Sequence, residues 1–348
     1  MPEIYLDSAA MHKVLPVARE AFLSAPFGNP SSEHAVGQAA RDALENARER
    51  IARCISAPSE SIFFTSGATE SCQWAMHTLY RNCAAIDTGD TEHHAVSEYR
   101  WNGDGKPVRE CFESGCAQML GQNEVGTIFD VKKLHEKYNL VFTDATAAMG
   151  HIPVDVSDVD LMAFSGHKFG GVLGAGVLYA KDPAILSPLI RGGGQERGMR
   201  SGTENVPAIC AMAAALEWQC EHMNENMSIL NGMRFFLINK LLEIKGSVLN
   251  TPYESAETLP HIINISFPGV DAHALALLLS KEGVMVSPGA ACSNGLHEPS
   301  HVILAMFHDE HRARSAIRIS LSHENTVEEC QYAAENIKEC VAYLRSLA

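Results

Sequence analysis

The sequence is short of positive charge: 27 Lys and Arg stand against 42 Asp and Glu, for a formal net charge of −15 at pH 7. That deficit argues against a general binder of nucleic acid or of anionic membranes, because most of the surface would repel either. It leaves room for a local basic pocket that takes a small anion. No apolar run approaches the ~20 residues that span a bilayer. The opening Met1-Pro2-Glu3-Ile4-Tyr5-Leu6-Asp7 lacks the basic and apolar stretches of a signal peptide. The expectations are no membrane association and a cytoplasmic location. The ten cysteines include no C-x-x-C pair and lack the density of a disulfide-stapled mini-domain, so free thiols are expected. No internal repeat or low-complexity linker interrupts the chain.

What is present is 348 residues with 46% hydrophobic content, enough for about two packed domains. A helix pattern runs from about Ser32 to Ile55, with Ala39, Ala43, Ala47 and Ile51 recurring at i+4 and Ser31 or Ser32 placed to cap it. Short apolar runs follow at Ile62–Phe64, Leu140–Phe142, Leu161–Phe164 and Gly176–Tyr179. Lacking alternation, they suit strands covered on both faces. Helical stretches such as Val131–Tyr138 lie between them, so the pattern is α/β with a mainly parallel central sheet. Pro207–Ile244 reads as two long helices broken near Asn224. Beyond about residue 246 the strands His261–Phe267, Val284–Val286 and Ala316–Leu321 alternate with helices Ala272–Lys281 and Thr326–Leu347. The expected division is a large domain over 12–245 and a smaller α+β domain made of 1–11 and 246–348.

Three features carry chemistry. Ser165-Gly166-His167-Lys168 follows a buried strand, where open α/β sheets bind ligands, and a desolvated lysine there is available as a nucleophilic amine. A surface lysine is the bland alternative. Thr65-Ser66-Gly67-Ala68-Thr69-Glu70-Ser71 joins a strand to a helix, exposing backbone N–H groups as a phosphate cradle. Asp144 ends another strand, placed to hold a ring-nitrogen proton or simply to cap a turn. Amine, carboxylate and phosphate turn together are the arrangement that pyridoxal phosphate needs.

With these strings the sequence resembles the NifS-like cysteine desulfurases, of the class V aminotransferase group among fold-type I pyridoxal phosphate enzymes. Further matching strings are Tyr5–Ala10, Gly28–His34, Thr91-Glu92-His93-His94-Ala95-Val96, Asn123-Glu124-Val125-Gly126, Gly192–Thr203, Gly289-Ala290-Ala291-Cys292-Ser293 and Ile317–Ser320. The resemblance implies Lys168 as the Schiff-base lysine and Asp144 as partner of the pyridine nitrogen. His93 would stack on the ring and move protons, and Asn123 would touch its hydroxyl side. Ala68, Thr69, Ser165 and His167 would bind the phosphate, with Thr203 reaching in from the second subunit of a homodimer. Arg318, assisted by Asn29, would clamp the substrate carboxylate. Cys292, among small residues, would carry sulfur as a persulfide; a buried apolar role is the alternative.

The implied reaction converts L-cysteine to L-alanine and passes the sulfur to an acceptor such as an iron–sulfur scaffold or a tRNA-thiolation protein. A selenocysteine lyase or other β-lyase, and a non-catalytic sulfur-transfer scaffold, are the alternatives. His297, His301, His308 and His311 follow Cys292, yet Pro299 interrupts them and no second cysteine stands nearby, so no metal is expected. Arg191, Arg197 and Arg200 lie among glycines rather than aromatics, which fits a small anion or a subunit contact better than nucleic acid. Two departures from the family pattern stand out. Ala147 replaces a glutamine that would bond the cofactor's phenolic oxygen, and the His93–Asn123 segment is short, with Trp101–Gly105 reading as a tight turn.

Overall fold

The computed structural model describes residues 3–99, 112–289 and 298–347. In chain order the elements are β1 (Ile4–Tyr5), α1 (Pro16–Ser24), α2 (Ala35–Cys54), β2 (Ile62–Thr65), α3 (Ala68–Asn82), β3 (Cys83–Thr88) and α4 (His94–Ser97). Then come β4 (Phe112–Ala117), β5 (Leu140–Asp144), β6 (Leu161–Ser165), β7 (Gly176–Ala180) and the long α5 (Val206–Leu242). The remainder runs β8 (Val248–Leu249), β9 (Ile262–Ser266), α6 (Ala272–Lys281), β10 (Val284–Met285) and β11 (Ser287–Pro288). It ends with α7 (His301–Phe307), α8 (Glu310–Arg314), β12 (Ala316–Ser320) and α9 (Val327–Leu347). Among the described residues no helix is long and apolar enough to cross a membrane.

The chain divides into two compact units, one of residues 13–120 and 129–223, the other of 1–12, 121–128 and 224–348. In the first, six described strands form one sheet in the order β2-β7-β6-β5-β4-β3. β3 to β6 are mutually parallel, and β7 is antiparallel to both neighbours. Alternate residues go to opposite cores, as a period of two dictates. Val141, Met162, Phe164 and Val177 join one cluster with Leu44 and Ile51 of α2 and Ile209 and Met212 of α5. Leu140, Phe142, Leu161 and Leu178 join another with Trp74 and Leu79 of α3. Both faces are covered, which is why these runs are continuously apolar.

In the second unit, β11-β12-β9-β8 form an antiparallel sheet, and β1 pairs in parallel with β10. Ile263, Ile265, Ile317 and Ile319 pack with Leu237, Leu275 and Ile337 from α5, α6 and α9.

Three local expectations change. Asn29 ties down the residues expected to cap α2: its Oδ1 accepts from Ser31 N (2.9 Å) and its carbonyl from Ser32 N (3.0 Å). Both serines are held in the preceding turn, and His34 Nδ1 caps the helix instead, accepting from Gly37 N (3.2 Å). The Val131–Tyr138 stretch winds as a 3-10 segment over Val131–Glu136, a geometry suited to short connectors. No break occurs near Asn224, and α5 is continuous. Asn224 is exposed there, and an asparagine inside a helix costs less than about 1 kcal/mol, too little to end one.

Candidate active site

Strand register assembles the site. Thr65, the last residue of β2, pairs with Gly176 of β7, and Gly176 pairs with Ser165, the last residue of β6. The Thr65–Ser71 turn and the Ser165–Lys168 turn thereby emerge on the same edge. Glycine at 176 is obligatory for this approach: a Cβ there would lie 2.6 Å from Gly67 Cα and 2.8 Å from Thr65 Oγ1. On the other side β6 pairs with β5, which ends at Asp144. Two strand ends and a helix start therefore converge at the carboxyl edge of the parallel strands.

Gly67 starts α3 with no side chain capping the helix, so the first-turn amides of Ala68 and Thr69 have no intrahelical acceptor. Thr65 Oγ1 and Ser71 Oγ brace the turn from behind at 2.7 Å. Ser66 N donates to Glu70 Oε2 (2.8 Å), and Arg200 clasps the same carboxylate at 2.7 and 3.1 Å. Burial would raise the Glu70 carboxyl, but the bonds from Arg200 and Ser66 prevail and hold it below its ordinary value. Ser165 Oγ lies 2.8 Å from His167 Nδ1. Burial, and then the Lys168 charge, lower His167 to about 4, so its ring is neutral at physiological pH. Lys168 closes this short 3-10 turn and is half-buried.

Asp144 is 6% exposed, and its Oδ1 accepts from Thr146 N (2.9 Å). The buried Cys72 thiol also donates to it; burial and the Asp144 charge push that thiol well above its ordinary range, which makes it unreactive. The hydroxyls of Thr143 and Thr146, flanking Asp144 and Ala145, are buried without a hydrogen-bond partner. Ala147 is half-buried and brings no side-chain donor. His93 caps α4 by accepting from Ala95 N at Nδ1 (3.0 Å), which leaves the neutral ring's proton on Nε2. Beside it Glu92 is fully buried, accepting from Met119 N at 2.8 Å. Burial, opposed by that bond and reinforced by Asp144, raises Glu92 to about 8.

In the other unit Arg318 is 3% exposed on β12. Its Nη1 donates to Asn123 O (2.9 Å), and its Nη2 to Asp7 Oδ1 (2.9 Å) and Ser287 Oγ (3.4 Å). Its Nε is buried without a partner. Asn29 occupies the exposed turn before α2, and Thr203 is exposed as well. Cys292, His297 and the Trp101–Gly105 turn lie outside the described residues. Among the described residues no group of three or more His, Cys, Asp or Glu side chains could hold a metal ion.

Two arginines of the Gly/Arg-rich segment, Arg197 and Arg200, are used within the chain. Arg197 donates to Glu60 O (2.7 Å) and to Ile62 O, with its guanidinium 4.0 Å over the Phe63 ring. Glu196 and Arg197 take left-handed backbone angles (φ 47° and 58°), unusual for residues other than glycine. A buried fork holds them: Glu196 pairs with Arg48 at 2.7 and 2.9 Å and accepts from Phe64 N at 2.8 Å. The sequence strings contain Glu92 and Glu196 without marking them, because their partners lie 27 and 148 residues away.

The aminotransferase class-V family profile matches residues 4–100 and 116–332. The chain belongs to that family. Among class-V relatives, the cysteine desulfurase IscS of Dictyoglomus turgidum is 37% identical, with 99% of this chain and 96% of that protein aligned. The cysteine desulfurase IscS of Methanosarcina thermophila is 34% identical over 99% of this chain and 93% of its own length. A solved structure described as a NifS-like protein superposes with a TM-score of 0.85 at 33% identity, covering 98% of this chain and 100% of the other. The mixed sheet order and full-length match place this chain in the fold of the NifS-like class-V enzymes.

Proposed function

We infer that the protein is a pyridoxal phosphate-dependent cysteine desulfurase that converts L-cysteine to L-alanine and carries the sulfur on Cys292. The observation that supports this most is the register line Thr65–Gly176–Ser165, with Lys168 and Asp144 on the same strand edge. The residues present fit the cofactor. The uncapped α3 start, Ser165 and the neutral His167 suit a phosphate, and Lys168 suits an aldehyde. Asp144 suits a protonated ring nitrogen, and the partnerless hydroxyls of Thr143 and Thr146 are donors awaiting an acceptor. When bound, pyridoxal phosphate supplies an electron sink next to the substrate's α-carbon.

The chain's own residues do the rest. Lys168 would anchor the cofactor through its amine, and the same amine, when free, would take the substrate's α-proton. His93, with its proton on Nε2, would stack on the cofactor ring and relay protons. Arg318 holds the substrate carboxylate, for which its partnerless Nε–H is a ready donor. The Cys292 thiolate attacks the substrate sulfur, and the carbon–sulfur bond breaks with its electron pair left on the carbon fragment. That fragment takes up protons and leaves as alanine, and Cys292 keeps the sulfur as a persulfide. A second subunit supplies Thr203 to the phosphate, and an iron–sulfur scaffold or tRNA-thiolation protein in the cytoplasm collects the sulfur.

The test is one turnover with L-cysteine followed by mass spectrometry. One added sulfur is expected on the peptide containing Cys292, and none on those containing Cys330 or Cys340. Cys292→Ala should bind cofactor yet release no sulfide, and Lys168→Ala should lose the yellow chromophore. Desulfuration by Cys292→Ala at the wild-type rate would overturn the assignment.

A further inference from the structure

Gly289 and Ser300 are eleven positions apart, on either side of Cys292, yet lie close together beside the Glu124 side chain, which Ser300 bonds. Gly289 follows β11, and its N–H donates to Ala316 O (3.0 Å). A Cβ at this position would lie 3.1 Å from Ser300 Cβ and 3.5 Å from Glu124 Oε2. Ser300 starts α7, accepting at Oγ from Ile303 N (3.2 Å), and its hydroxyl donates to Glu124 Oε2 at 2.6 Å. The carboxylate of Glu124 thus sits where the two ends converge.

Its own footing is rigid. Glu124 is 4% exposed, and its carbonyl accepts from Asn264 Nδ2 (3.2 Å) on β9. The preceding carbonyl, of Asn123, accepts from Arg318 Nη1 (2.9 Å). Burial lifts the Glu124 carboxyl to about 7 against the pull of the Ser300 hydroxyl and the Arg318 charge. A carboxyl buried at that cost is a poor choice for packing alone, since an apolar residue of similar size would do as well or better. It is a good choice for fixing the direction of one hydroxyl.

We propose that Glu124 is a positioning residue for sulfur transfer: by holding Ser300 against Gly289 it fixes the separation of the two ends of the segment that carries Cys292. The proposal rests on the reading of Cys292 as the sulfur carrier. A thiol tethered at two fixed points samples less space than one tethered to two ends free to part, and so reaches the substrate sulfur at higher effective concentration.

The experiment uses the holoenzyme and three variants: Glu124→Ala, Glu124→Gln and Ser300→Ala. Alanine formation from L-cysteine gives kcat and KM, cofactor absorbance gives occupancy, and peptide mass spectrometry gives the rate at which iodoacetamide alkylates Cys292. Glu124→Ala is expected to lower kcat roughly tenfold, in line with loss of a charge-assisted hydrogen bond at a positioning site, with KM and occupancy unchanged. Its Cys292 alkylation rate should change at least about threefold, as expected when a tethered group's freedom changes. Ser300→Ala should match it, and the double variant should be no worse than either single one. Glu124→Gln, whose amide oxygen still accepts from Ser300, should recover most of the rate. Wild-type alkylation and kcat in Glu124→Ala, or a Glu124→Gln variant as impaired as Glu124→Ala, would sink the proposal. The alkylation readout separates the two claims: a wild-type enzyme inactive on cysteine defeats the sulfur-carrier reading, and an alkylation rate indifferent to Glu124 defeats the positioning role.

Discussion

A single residue's protonation decides how the phosphate cradle meets its ligand. His167 is neutral because burial and the Lys168 charge disfavour its cation. Its folded pKa lies below the unfolded value, so acid favours the unfolded chain. The stability it supports is intact above pH 6.5 and is lost as pH falls toward 4. In the apoenzyme the unfolding free energy from urea titration should drop between pH 7 and pH 5 by on the order of 1 kcal/mol more in wild type than in His167→Gln. Parallel curves for the two would show that His167 does not titrate as described. The places of Asp144 at the end of β5 and of Lys168 in the turn just after β6 were legible in the sequence, because a buried apolar run states where its strand ends. Glu92, Cys72 and Glu124 were not, since nothing near them in sequence reveals the partners that pairing brings across. Ser300 meets Glu124 from 176 residues away, and a buried carboxyl reads in sequence like any exposed one.

At the scale of elements, the four apolar runs became β2, β5, β6 and β7 with boundaries within a residue or two. Strands buried on both faces carry their signal in composition alone. β3 carries no such signal because it is Cys-Ala-Ala-Ile-Asp-Thr, with little apolar bulk and four exposed positions. The cap of α2 falls on His34 rather than Ser31 or Ser32 because Asn29 competes for both serines, a local hydrogen-bond choice that residue type does not reveal. The decisive glycine of the site, Gly176, opens a strand that otherwise looks ordinary. Gly176→Ala would drive a methyl into the backbone of Gly67, where the atoms in the way cannot swing aside. The expected outcome is a loss of about 1–3 kcal/mol in thermal or urea stability, as for other overpacked sites. Cofactor affinity should fall with it, roughly tenfold by fluorescence titration, because the α3 amides would shift with Gly67. Wild-type affinity in that variant would mean that the turn at Gly67 is not part of the cradle.

At the scale of the whole molecule, the proposed shared site makes each subunit's work depend on its neighbour. Mixing inactive Lys168→Ala subunits with inactive Thr203→Val subunits should restore up to about a quarter of wild-type activity if exchange is random and each hybrid regains one of its two sites. No recovery after demonstrated exchange, or a fully active monomer, would refute the sharing. The fork of Arg48 and Phe64 N on Glu196 then acquires a meaning in inheritance. It anchors the segment leading to Thr203 onto β2, the strand that also leads into that subunit's own cradle. A cell carrying one intact gene copy and one altered at Glu196 would build mixed dimers in which the altered chain borrows a sound loop while its intact companion receives a slack one. In such a pair, under the proposed sharing, the surviving active site would belong to the polypeptide that bears the mutation.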